Sequence, residues 1–158
     1  MKKKNPDLMF GVSPFGIWKN SKKDILGANV SEKATQSYDN QYADSYKWVK
    51  EAMIDYIVPQ LYWEFGHPLA PFGDLAKWWI DLCKDTNVKL YIGHGAYRLG
   101  NEGEYENPLE VVNQVKFVNI SPVVKGNVFF TYKTFINEDK NKPGMQKLKS
   151  LLNGDIHE

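Results

Sequence analysis

Apolar positions in this chain gather in four short runs, at residues 8–13, 56–63, 88–94 and 128–132, and each run ends in side chains that can hydrogen-bond or stack. Inside the runs the apolar residues are nearly continuous, as in Leu8-Met-Phe-Gly-Val-Ser13 and Val88-Lys-Leu-Tyr-Ile-Gly-His94. Strands covered on both faces have this texture, which predicts a parallel sheet. Between the runs the period becomes helical. Tyr42, Tyr46, Val49 and Met53 predict a helix over 41–53 that Asp39 or Asn40 caps. Pro71, placed as a first helical residue, precedes the stripe Phe72, Leu75, Ala76, Trp79 and Cys83. Asn107-Pro-Leu-Glu110 combines a cap, a first-turn proline and a capping-box glutamate ahead of Val111, Val112, Val115 and Val118. A last helix runs from Pro143 through Leu148, Leu151 and Leu152 to a stop at Gly154.

The order strand, helix, repeated four times, predicts an α/β fold of four consecutive βα units. One domain over 1–154 with a tail at 155–158 fits a chain of 158 residues. The polar connection 14–40 is too long for a passive connector and reads as a functional βα loop. Gly93-His-Gly95 lacks the further glycine of a dinucleotide fingerprint and no P-loop is present, so no nucleotide cofactor is expected.

Charge changes the list of partners. Lys+Arg 20 against Asp+Glu 19 leaves +1, without the long-range field that gathers nucleic acid or an anionic membrane. Met1-Lys-Lys-Lys resembles the basic start of a signal peptide, but Asn5, Pro6 and Asp7 follow and the next apolar stretch is only 8–12. A secretory core needs about 7–15 apolar residues and a membrane span about 18, so neither is read here and the compartment stays open. The lone Cys83 falls on a helical stripe as a small core residue.

In an α/β barrel, functional groups collect at the carboxyl ends of the strands. Ser13 with Trp18, Gln60 with Tyr62 and Trp63, His94 with Tyr97, and Tyr132 with Lys133 fall on that rim. With aromatic content at 14%, such a lining suits a sugar, whose C–H face packs on rings while amide or imidazole groups bond its hydroxyls. Gln60, inside a strand among apolar neighbours, bonds either a ligand or an internal partner. His94 either contacts substrate or is a neutral structural histidine, and Lys133 either contacts ligand or is solvated. Trp63 and Trp18 read as ligand platforms, Trp78 and Trp79 as packing, His67 as a solvated loop residue and His157 as part of the tail. The substrate-binding set is thus Trp18, Gln60, Tyr62, Trp63, His94 and Tyr132.

No histidine pair has helical i, i+4 spacing with a carboxylate, so no metal site is expected. Glycoside hydrolysis generally needs two carboxylates about 5–10 Å apart. Only Glu64 directly follows a strand end; Asp39, Glu102 and Glu104 lie in loops, and Asp55 starts its strand on the opposite, stabilising face. The catalytic candidates reduce to Glu64 and His94, which do not make a carboxylate pair.

Phe10-Gly-Val-Ser-Pro-Phe-Gly-Ile-Trp-Lys-Asn20, Tyr42-Ala-Asp44, Lys47-Trp-Val49, Asp55-Tyr-Ile-Val-Pro-Gln-Leu-Tyr-Trp63, Lys89-Leu-Tyr-Ile-Gly-His94 and the stretch 126–133 resemble, in order and over nearly the whole chain, the later half of bacterial glycosyl hydrolase-like family 10 proteins. The resemblance implies a TIM-type (β/α)₈ barrel, here only its second half, on exported or cell-surface proteins acting on glycosidic bonds. It also implies that Met1 falls just before the fifth barrel strand. The acidic Asp-Asp-Tyr type motif that ends the family's fourth strand has no counterpart, and Asn40 and Tyr46 stand where an acidic residue and an arginine are expected. A glycoside hydrolase-like fragment is the expected function, with a non-catalytic carbohydrate-binding module or an inactive truncated remnant as rivals. Four strands of a closed eight-stranded barrel leave two unpaired edges, so the expected partners are a carbohydrate and either an N-terminal half-barrel or a second copy.

Overall fold

The computed structural model describes residues 4–136 and 142–155. His157 lies outside them.

Five short strands form one parallel sheet: β1 (Gly11–Val12), β2 (Tyr56–Ile57), β3 (Gln60–Leu61), β4 (Lys89–His94) and β5 (Val124–Phe129). β2 and β3 are two pieces of one strand position, since both pair with β4, Ile57 opposite Leu90 and Leu61 opposite His94. Val58 and Pro59 separate them, and proline cannot donate to a ladder. β1 pairs with β2, and β5 pairs with β4, with a register shift between Leu90 and Ile92. The sheet therefore runs in chain order across four strand positions, each followed by helix: α1 (Ser37–Gln41) and α2 (Ser45–Lys50), α3 (Phe72–Cys83), α4 (Glu110–Asn119), then α5 (Tyr132–Ile136) and α6 (Lys142–Leu152). The fold is α/β with a parallel sheet, as the near-continuous apolar runs predict.

Several boundaries differ from the pattern, each for a local reason. The expected helix over 41–53 is two helices, broken at Tyr42 in the left-handed region (φ 53°). Asp44 starts the second by accepting from the Lys47 N–H at 3.2 Å, and it also accepts from the Trp18 indole N–H at 3.0 Å. An aspartate that caps and braces at once is worth more outside a helix than inside one. Tyr42 and Met53, read as stripe residues, are consequently exposed. The fourth strand is 124–129, earlier than the 128–132 expected, and Tyr132 opens α5 instead of ending the strand. α3 keeps its expected stripe, with Pro71 one place before the first turn. Asn107 does accept from the Leu109 N–H at 3.0 Å, but Glu110 turns away from the cap to bond the β3–α3 loop.

The main core fills the space between one face of the sheet and α2 and α3, around Ile57, Leu61, Leu75, Trp79, Leu90 and Ile92. A second cluster, Leu99, Tyr105, Val111, Val115, Met145 and Leu148, lies under α4 and α6. The 14–40 connection is a built segment of that core. Ile17, Ala28 and Val30 are buried in it, and fully buried Asn20 bonds the Val30 carbonyl and, through its N–H, the Gln36 side chain. From α3, Trp79 donates to the Gly16 carbonyl and Trp78 to that of Leu26. Cys83 is buried, and burial pushes its thiol up to about 12.

The sheet's other face is open. Met9, Tyr56, Val58, Tyr91 and Val128 line an apolar hollow of about 330 Å³, with Met9 47% and Val128 46% exposed. At the β1 edge Phe10, Val12, Trp48, Met53 and Ile54 line a second apolar groove of about 290 Å³. Among the described residues no helix is long and apolar enough to cross a membrane.

Candidate functional site

The carboxyl ends of the strands meet on one rim. Beyond the last β3 pair come Tyr62, Trp63 and Glu64; beyond β4 come Gly95 and Tyr97; beyond β5 comes Phe130. Gln60, half-buried, donates its amide N–H to the Ser13 carbonyl at 2.9 Å and reaches the Ser13 hydroxyl at 3.4 Å, tying the β1 end to β3. An internal partner thus takes one end of the amide. The Ser13 hydroxyl in turn donates to the Val58 carbonyl at 2.8 Å.

Tyr62 lies nearly parallel to Phe130 (24°, centroids 5.8 Å apart), and Tyr97 stands edge-on to both at 6.0 and 5.9 Å. Burial and the neighbouring Tyr97 phenol push the Tyr62 hydroxyl above the ordinary tyrosine range. Trp63 is half-buried, and its carbonyl accepts from Gln114 at 3.0 Å. His67, a partly exposed loop residue, also anchors the turn: its Nδ1 accepts from the Leu69 and Ala70 N–H groups at 3.3 and 3.2 Å. Tyr132 and Lys133 are exposed.

Two expected binding residues stand elsewhere. Trp18 is 4% exposed, stacked on Tyr46 at 4.7 Å and near-parallel to Trp78 at 6.1 Å, with its indole N–H committed to Asp44. Its loop position concealed that α2 and α3 supply the rings that cover it. His94 is fully buried between Phe72 and Phe129, whose ring centroids are 5.6 and 5.4 Å away. Its Nδ1 lies 3.2 Å from the Gln114 amide oxygen and its Nε2 2.8 Å from that of Asn127. Burial holds its pKa below the ordinary histidine value, against the smaller opposing pull of Asn127 and Gln114. Gln114 spends its amide nitrogen on the Trp63 carbonyl and Glu110 and Asn127 spends its own on Asn119, so both present their amide oxygens to the His94 ring. In this arrangement His94 braces the β3, β4 and β5 ends against α4 and presents no atom to solvent.

Three carboxylates gather around the β3–α3 loop. Glu104 accepts from the Gly66 N–H at 2.8 Å, and Glu110, 4% exposed, accepts from the Phe65 N–H at 3.1 Å and from Gln114 at 3.0 Å. Burial is the main cause that raises the Glu110 pKa, and the Glu104 and Glu64 charges add to it, while Gln114 and the Phe65 N–H pull it down. Among the described residues Glu64 is the one of the three with no hydrogen bond from its carboxylate. No group of three or more His, Cys, Asp or Glu side chains among the described residues is arranged to hold a metal ion. Sequence reasoning missed Gln114, Asn127 and Glu110, which sit on an ordinary amphipathic helix and a mid-strand position with no local signal of their role.

A parallel α/β sheet whose strand ends carry amide, phenol and carboxylate groups is compatible with part of a TIM-type barrel. The family model for glycosyl hydrolase-like 10 proteins matches residues 1–110, and the chain belongs to that family. Glycosyl hydrolase YngK of Bacillus subtilis (strain 168) is 36% identical over 159 residues, covering 99% of this chain and 30% of that protein. Glycosyl hydrolase DigH of Escherichia coli (strain K12) is 36% identical over 155 residues, covering 93% of this chain and 34% of that protein. The chain spans about a third of the length of the curated relatives it matches.

Proposed function

We propose that this chain forms one domain over 1–154, the second half of a TIM-type (β/α)₈ barrel. It holds a glycan at the strand carboxyl ends for O-glycosidic hydrolysis once an N-terminal half completes the barrel. The observation that carries this reading is the pairing of a polar and aromatic rim with an uncovered apolar sheet face. A buried lumen is the natural cover for Met9, Tyr56, Val58, Tyr91 and Val128, and a further crossover helix for the groove of Phe10, Trp48 and Met53. Family membership and the names of both relatives support action on glycosidic bonds.

In this proposal Gln60, Tyr62, Trp63 and Tyr132 touch the glycan, while His94 and Trp18 hold the rim in place. Glu64 is the candidate acid or nucleophile on this side, and its partner carboxylate, about 5–10 Å away, comes from the other half. The test is to assay cell-wall and plant glycans for binding and for reducing-end release, with this chain alone and with the front half of the Bacillus relative added in trans. Binding without turnover alone, and turnover on addition, is the expected result. Binding that never yields turnover would identify a carbohydrate-binding module instead, and no binding in either case would refute the glycan reading.

A further inference from the structure

Tyr62, Tyr97 and Phe130 come from the ends of three different strand positions and converge on one exposed corner of the rim. Phe130 is 54% and Tyr97 39% exposed. A cluster of rings left this open at the strand ends marks a surface that a ligand can cover. Their arrangement is held by backbone. The Tyr97 N–H donates to the Phe130 carbonyl at 3.1 Å, and the Phe130 N–H donates to the His94 carbonyl at 3.0 Å. Gly95 lets the Tyr62 side chain approach, since a Cβ there would stand 3.1 Å from the Tyr62 Cβ. Such rings lose little freedom on binding, which is the condition for an effective stacking platform.

We propose that these three rings form a pyranose-stacking subsite. Tyr62 and Phe130 serve as the floor under a sugar's C–H face and Tyr97 as the wall beside it. The proposal rests on the glycan reading above and adds Tyr97 and Phe130 to the residues that touch the ligand. The Arg98 guanidinium lies 5.6 Å from the Tyr97 ring centroid and 5.9 Å from that of buried Tyr105, behind the wall of the corner, and its buried Nε has no hydrogen-bond partner among the described residues. The two phenols supply the polar ends at this corner.

The experiment is calorimetric titration of the full chain with cellohexaose, chitohexaose and xylohexaose, and with adenosine as a flat non-sugar probe. At least one oligosaccharide is expected to bind, with affinity reduced roughly tenfold in Tyr97→Ala and in Phe130→Ala. Phe130→Leu, which keeps apolar bulk without a ring, is expected to lose affinity as well, so a folding defect in either alanine variant leaves a decisive measurement. Tyr42→Ala, at a ring 94% exposed outside the rim, is expected to bind as the parent does. Oligosaccharide binding unchanged in all three corner variants would overturn the subsite while leaving the rim reading intact. A preference for adenosine, or an equal loss in Tyr42→Ala, would also overturn it. Absence of any oligosaccharide binding would overturn both readings.

Discussion

Replacing His94 by leucine separates a ligand-contacting histidine from a structural one. The substitution keeps apolar volume between Phe72 and Phe129 but removes both polar contacts, at 3.2 Å to Gln114 and 2.8 Å to Asn127. Gln114 is 0% exposed, so its amide oxygen is left without a partner or water, at a cost of about 1–3 kcal/mol. Asn127 is half-buried and keeps its bond to Asn119, so its loss is smaller. Loss of the two ring stacks adds about 1 kcal/mol. A total of about 2–4 kcal/mol corresponds to a fall of about 1–2 M in the urea midpoint, taking a slope of about 2 kcal/mol per M. Urea unfolding followed by tryptophan fluorescence, with oligosaccharide affinity measured on the still-folded variant, is the assay. A stability change below about 0.5 kcal/mol together with abolished glycan binding would refute the bracing role and return His94 to the ligand.

Two further outcomes follow from buried titrating groups. Because His94 is held below the ordinary histidine pKa, the unfolded chain binds more protons below pH about 6.5, so its contribution is present above that pH and declines as pH falls. The stability gap between the parent and His94→Leu should therefore narrow from pH 7 to pH 5, and a gap that widens on acidification would contradict the buried neutral ring. The Cys83 thiol, buried and raised to about 12, should resist thiol reagents in the native state and react fully in denaturant, and rapid native labelling would show that the α3 core is open.

Legibility followed the range of the interactions. Strand and helix order, the α3 stripe and the parallel texture were visible because each depends on spacing within about a dozen residues. The same local reading misplaced the 41–53 helix because the brace between Trp18 and Asp44 spans 26 residues and carries no mark in the helical period. It also placed Trp18 on the rim, where nothing in Pro14-Phe-Gly-Ile-Trp18 reveals the Tyr46 and Trp78 rings that cover it.

The sequence by itself determined that amide, phenol, carboxylate and imidazole groups follow the apolar runs of this chain, since the residue types at positions 60–64, 94–97 and 130–133 are local facts. Tertiary structure alone decided which of them face outward. His94 ends an apolar strand at the rim, yet Gln114 from α4 and Asn127 from β5 enclose it, whereas Tyr97 and Phe130 remain open and Tyr62 is half-buried. The physical reason is that burial of a strand-end side chain is set by what packs over it from distant segments, and spacing along the chain does not encode that cover.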